Sequence, residues 1–163
     1  MGVAASVASA AGSKSDLRIK GDPASANGAT WTYSDSTYAL EGVLFKPTGK
    51  GPFPAVLVNH GTGGNAFDYG RAVGRIMVRW GYVVIAPHYT HSSGVPCGRP
   101  GVCEAGADWG ASAANLQRGL KTVELLERLD SVDTSAIMLF GHSRGAFVTT
   151  ALAAADPTLE IAP

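Results

Sequence analysis

The sequence predicts an α/β domain: a mostly parallel sheet with helices on both faces and antiparallel edge strands on its N-terminal side. Three observations predict it. Ala55–Val58, Tyr82–Ala86 and Ala136–Phe140 are short, continuous apolar runs of the kind found in strands buried on both faces. Helical patterns separate those runs, and strands alternating with helices imply parallel pairing through right-handed crossovers. The chain's 21 glycines gather in the loops between them, where backbone can approach a ligand closely.

Residues 1–28 read as a disordered leader and linker, with residues 29–163 as the domain proper. Met1 to Ala11 is a run of small and apolar residues with no basic start, and Ala8-Ser9-Ala10 has the A-x-A form of a signal-peptidase site. Two readings stay open there, the tail of an export signal and a small-residue leader. Gly21-Asp22-Pro23 and Asn27-Gly28 mark turns. Thr30 to Lys46 alternates β-branched and aromatic residues, which predicts one or two antiparallel edge strands. Pro47 to Pro54 is a loop, and the first buried strand follows it. A tight turn over Gly61–Asn65 leads into a helix over Phe67–Trp80 that ends at Gly81. The second buried strand stops at Pro87, and a long loop runs from His88 to about Asp108, where the aspartate suits a helix N-terminus. Leu116, Leu120, Val123, Leu126 and Leu129 recur at helical spacing and predict one amphipathic helix. Glu124 and Arg128 form an i,i+4 pair on it. The third buried strand is followed by Gly141 and a helix through Ala155, which Asp156, beside Pro157, closes as a turn residue.

Composition removes several function classes. Thirteen basic and thirteen acidic residues give a formal net charge of zero, without the basic footprint of a nucleic-acid binder. No apolar run reaches the roughly 18 residues of a transmembrane helix. Cys97 and Cys103 are too few for a four-ligand zinc site and do not form C-x-x-C. They read as a short disulfide-closed loop in an oxidising compartment, or as two thiols in the cytoplasm. The expected location is secreted or periplasmic, with cytoplasmic as the alternative, and no metal or cofactor is expected.

The residues that carry chemistry are Gly141-His142-Ser143-Arg144-Gly145. They spell G-x-S-x-G between a strand and a helix, the context of a nucleophile elbow with Ser143 at its apex. A helix N-terminus there offers N–H groups and a favourable dipole to a developing oxyanion. His60-Gly61-Thr62-Gly63-Gly64 directly follows the first buried strand. It completes neither G-x-G-x-x-G nor G-x-x-x-x-G-K-[ST], so it does not read as a phosphate loop. It reads as the loop that supplies a second oxyanion N–H, from Thr62, beside that of Arg144.

With those motifs, the chain from about Tyr38 to Ala155 resembles the α/β-hydrolase superfamily, most closely its dienelactone-hydrolase-like and secreted polyester-hydrolase-like branch. The resemblance rests on Pro54–Gly61, on Gly81–Pro87 and on Phe140–Ala146. It implies hydrolysis of a small-molecule or polymeric carboxylic ester through an acyl-enzyme on Ser143, with oxyanion donors at Thr62 and Arg144. It also implies a triad acid after the next strand and a histidine near the C-terminus. Here His60, His88, His91 and His142 all precede Ser143, and His88 stands where relatives often have aspartate. The side-chain carboxylates after Ser143 are Asp156 and Glu160. The expectation is therefore an N-terminal fragment of a serine esterase, weak or inactive alone, apparently truncated after the elbow helix. Alternatives are a non-catalytic binding module on the same scaffold, or a chain completed by a partner. The outer side of the third strand is expected to be exposed, which favours self-association through the sheet edge.

Overall fold

The computed structural model describes residues 16–35, 37–92 and 111–161. Seven strands form one sheet: β1 (Asp16–Lys20), β2 (Ala29–Ser34), β3 (Ala39–Phe45), β4 (Phe53–Asn59), β5 (Val83–Pro87), β6 (Val132–Gly141) and β7 (Glu160–Ile161). Their order is β1-β2-β3-β5-β4-β6-β7. Pairing is antiparallel from β1 through β3 to β5, and parallel across β5, β4, β6 and β7. The parallel half carries both motifs, and β4 lies between β5 and β6.

Alternation along the strands sorts the core into two layers. Leu44, Ala55, Leu57, Val83, Ile85, Ile137 and Leu139 face one side. Val43, Phe45, Val56, Val58, Val84 and Ala86 face the other. A strand buried on both faces must be apolar throughout, which is why these runs show no polar alternation. Helix α1 (Arg71–Met77) covers the second face, entered by a π turn over Ala66–Gly70 and left by a 3-10 turn over Val78–Trp80. Helices α2 (Ala113–Glu127) and α3 (Arg144–Ala155) cover the first. On the α1 side an apolar groove of about 360 Å³ stays open between Ile76, Trp80, Met138 and Phe140.

The domain begins earlier than residue 29. Residues 16–20 form β1, in register with β2 at Leu17↔Tyr33 and Ile19↔Trp31. The turns that follow are fastened as well: the Lys46 N–H donates to Pro23 O at 2.9 Å, and Arg75 donates to Ala26 O and to Asn27 Oδ1. Leu17 and Ile19 alternate with Arg18 and Lys20, a period-2 signal too short to stand out beside the small-residue run before it.

Helix α2 turns the predicted face inward and buries a wider one than its apolar spacing marks. Asn115, Arg118, Gly119, Thr122, Val123, Leu125 and Leu126 are its buried residues, while Leu116, Leu120 and Leu129 pack at the margin. The small side of Gly119 and Thr122 lets α2 approach Leu152 of α3, and polar Asn115 and Arg118 bond inward rather than to water. Glu124 lies between Lys121 and Arg128 on the outer surface, as the i,i+4 spacing predicts. The edge expected at β6 is covered over Met138 and Leu139 by β7. Among the described residues, no helix is long and apolar enough to cross a membrane.

Candidate active site

Strand β6 delivers the chain to the elbow, and two close approaches shape it. A Cβ on Gly145 would lie 2.0 Å from Asn59 O, and one on Gly141 would lie 2.3 Å from Thr149 Oγ1. Only glycine lets the turn sit this tightly on the end of β4. Between them Ser143 has φ 55° and ψ −123°, and it is the one non-glycine residue with positive φ among the described residues. A serine held there stores strain of about 1–3 kcal/mol, which the packed surroundings must offset. Ser143 occupies the N-cap position of α3, yet its hydroxyl makes no capping hydrogen bond. It is exposed.

Strand β4 brings the second motif to the same place. Gly61 lies against the elbow: a Cβ built on it would fall 2.9 Å from both Ser143 Cβ and His142 O. The Gly61 carbonyl accepts from His60 Nδ1–H at 3.0 Å and from the Gly64 N–H at 3.2 Å. Because the peptide is planar, fixing that carbonyl also fixes the direction of the Thr62 N–H. Arg144 begins α3, immediately after Ser143. The two candidate oxyanion donors thus belong to segments that touch through Gly61 and Ser143.

All four histidines lie among the described residues, and three are buried structural groups. His60, fully buried, donates from Nδ1 and accepts at Nε2 from the Ser92 hydroxyl at 2.8 Å. The same hydroxyl accepts from the Tyr89 N–H at 2.9 Å. His91 donates from Nε2 to His60 O at 2.9 Å and accepts at Nδ1 from Asn115 Nδ2–H. His88 Nδ1 accepts from the Ala66 N–H, and its ring meets Phe67 edge-on at 4.7 Å. Burial in this apolar setting disfavours the charged ring and lowers the pKa of His60 to about 4; it also lowers those of His88 and His91. The fourth, His142, is exposed and stacks on Tyr69 at 5.5 Å. Among the described residues no imidazole hydrogen-bonds the Ser143 hydroxyl.

A polar cluster behind the elbow is not evident from the sequence motifs. Asn59, 0% exposed, ends β4 and pairs with Gly141 of β6. Its Nδ2 donates to Thr149 Oγ1 at 2.8 Å, and its Oδ1 accepts from the Tyr89 hydroxyl at 2.5 Å. Thr149 Oγ1 in turn donates to Gly145 O at 3.0 Å. A signal for it exists: Asn59 interrupts an apolar strand, and Thr149 interrupts an apolar helix. Asp156 accepts from the Thr158 N–H and hydroxyl, the turn role expected of it. Cys97, Cys103 and Asp108 lie outside the described residues. Among the described residues no group of three His, Cys, Asp or Glu side chains is arranged to hold a metal.

Comparison with known proteins fits this geometry. A family model described as chlorophyllase matches residues 29–162. No curated protein matches the sequence. An acetyl xylan esterase from Paenibacillus sp. R4 superposes with a TM-score of 0.62 at 18% identity, covering 90% of this chain and 51% of that one. A putative acetyl xylan esterase from Bacteroides fragilis NCTC 9343 gives 0.64 at 12% identity, covering 88% and 45%. A glucuronoyl esterase from Solibacter usitatus gives 0.58 at 16% identity, covering 93% and 52%. The chain therefore spans about half the length of these structures, and at such identities they share its fold. The superfamily expected from the motifs is the one found, through its chlorophyllase branch. By its match over residues 29–162, the chain belongs to the chlorophyllase family of α/β-hydrolase-type esterases.

Proposed function

We propose that this chain carries the nucleophile half of a serine esterase. Ser143 Oγ attacks the carbonyl carbon of a carboxylic ester, and the N–H groups of Thr62 and Arg144 receive the charge that develops on the carbonyl oxygen. Collapse of the tetrahedral intermediate expels the alcohol and leaves an acyl-enzyme, which water then hydrolyses. The observation that carries this reading is the conformation of Ser143: a non-glycine residue held at positive φ between strand and helix, with its hydroxyl making no capping hydrogen bond and Gly61 packed against it. Strain of this kind persists where the surroundings enforce it, and it clusters at reactive sites.

A serine hydroxyl needs a base to take its proton. The three buried histidines here are neutral and already bonded, so none of them fills that role as placed. Among the described residues no other group is placed to take that proton, and the chain spans about half the length of the solved structures that share its fold. The chain alone then keeps the contribution of oxyanion donors and binding, a residual rate about 10³–10⁴ above water in triad enzymes that have lost a member. Hydrolysis of a p-nitrophenyl ester by the purified chain tests this. A slow turnover that Ser143→Ala abolishes supports the proposal. Turnover that survives Ser143→Ala places the chemistry elsewhere.

A further inference from the structure

We propose that Asn59 is a positioning residue for the elbow, holding the Ser143 turn and helix α3 in register with the strand that bears the Thr62 loop. The proposal rests on the reading of Ser143 as nucleophile. Each part of the site arrives on a different element, and Asn59 joins three of them. Its main-chain oxygen accepts from the His142 N–H at 3.1 Å, one residue before the serine. Its Nδ2 reaches Thr149, one and a half turns into α3, and Thr149 passes the contact back to Gly145 O at the start of that helix. Its Oδ1 holds the Tyr89 hydroxyl, in the segment after β5. That segment is itself bound to the oxyanion loop, since His91 donates to His60 O and the Tyr89 ring stacks on His91 at 5.6 Å.

The direction of each bond is forced. Thr149 Oγ1 spends its one proton on Gly145 O, so it accepts from Asn59, and the amide nitrogen must face it. The amide oxygen is left for the Tyr89 hydroxyl. A carboxylate in this position cannot donate to Thr149, and an aliphatic residue can do neither. Burial without exposure makes each of these bonds count, because a broken one has no water to replace it. The effect on chemistry is geometric. If α3 shifts on the end of β4, the Arg144 N–H moves relative to the Thr62 N–H, and donors displaced from the oxyanion lose their effect.

Amide hydrogen exchange on the full 163-residue chain tests this without requiring turnover. For Asn59→Leu and Thr149→Val, exchange at His142, Gly145 and Ala146 is expected to rise about tenfold, the equivalent of one lost buried hydrogen bond. Exchange in β2 and β3, on the far side of the sheet, is expected to change by less than about twofold. Thr149→Ser keeps the hydroxyl and is expected to restore the elbow rates. Tyr89→Phe keeps the ring on His91 and removes only the hydroxyl that bonds Asn59 Oδ1, and its effect is expected at the same three amides even if the harsher variants fail to fold. A uniform rise across all amides, or no rise at the elbow in Tyr89→Phe and Thr149→Val, overturns the proposal. Labelling of Ser143 by a fluorophosphonate, measured on the same samples, reads the nucleophile separately. Its failure in the unaltered chain removes the esterase reading, while the exchange pattern still decides the role of Asn59.

Discussion

Lowering the pH from 7 to 4.5 should destabilise this fold by charging histidines that the folded state holds neutral. His60 contributes most. Its ring is fully buried, with Nδ1–H committed to Gly61 O and Nε2 accepting from Ser92, and burial lowers its pKa from 6.5 to about 4. In the unfolded chain the same group titrates near 6.5. The unfolded state therefore binds more protons between those values, and stability falls as pH falls through that window. Above about pH 6.5 both states are neutral and the effect vanishes. At 1.36 kcal/mol per pH unit, the full loss is about 3 kcal/mol. His88 and His91, also lowered by burial, add in the same direction. Against a typical total of about 5–15 kcal/mol this is a large share. Urea unfolding followed by tryptophan fluorescence at pH 7.5, 6.5, 5.5 and 4.5 measures it. With a slope near 2 kcal/mol/M, the midpoint should drop by roughly 1.5 M between the extremes. In His60→Gln, compared with its own midpoint at pH 7.5, the drop should shrink by at least half. The carboxylates Asp35, Glu124, Asp133 and Asp156 have lowered pKa values and also lose stability as pH falls, at the acid end of this range, so the comparison with His60→Gln isolates the histidine. A midpoint flat from pH 7.5 to 4.5, or an equal drop in the variant, would mean that His60 is not held neutral by burial.

Other substitutions probe the elbow. Gly145→Ala places a methyl 2.0 Å from a main-chain oxygen that cannot step aside, and should destabilise by about 3 kcal/mol or more, lowering Tm by roughly 10 °C. Gly81→Ala is the control: its φ of 95° is strained for alanine, but the space around it is open, so the loss should stay at about 1–2 kcal/mol. Differential scanning calorimetry on both separates crowding from backbone strain, and equal losses would contradict the close approach at Gly145. Ser143→Gly should raise Tm by about 2–4 °C while removing all esterase turnover, because glycine adopts φ 55° without strain. A lowered Tm would mean that the turn is not strained.

Much of this architecture was legible because burial on both faces leaves an unmistakable trace. The runs at Ala55 and Tyr82 lie in strands buried on both faces, whereas the run at Ala136 buries Ile137 and Leu139 and leaves Met138 and Phe140 half-buried beside the groove; G-x-S-x-G follows it at the strand-to-helix turn. The traces that failed are equally physical. β1 is five residues long with three of them charged, so its alternation is too brief to stand out. Helix α2 also buries Asn115 and Arg118, which a hydrophobic pattern assigns to solvent, so its inward face is wider than the pattern shows. The Asn59 cluster spans 90 residues between Asn59 and Thr149, and partners that far apart declare themselves only once the sheet order is known. Polar residues do stand in the sequence where apolar ones are expected, and in a buried element such a residue is worth following to its partner.

The central claim is that Ser143 is a nucleophile held in place by the fold. Incubation of the chain with a fluorophosphonate, followed by peptide mass mapping, tests it most directly. A single adduct on Ser143 is expected, forming about 10³-fold faster than on a serine in an unstructured peptide and absent from Ser143→Ala. An adduct on another serine such as Ser92, or no adduct on protein shown to be folded, would contradict it.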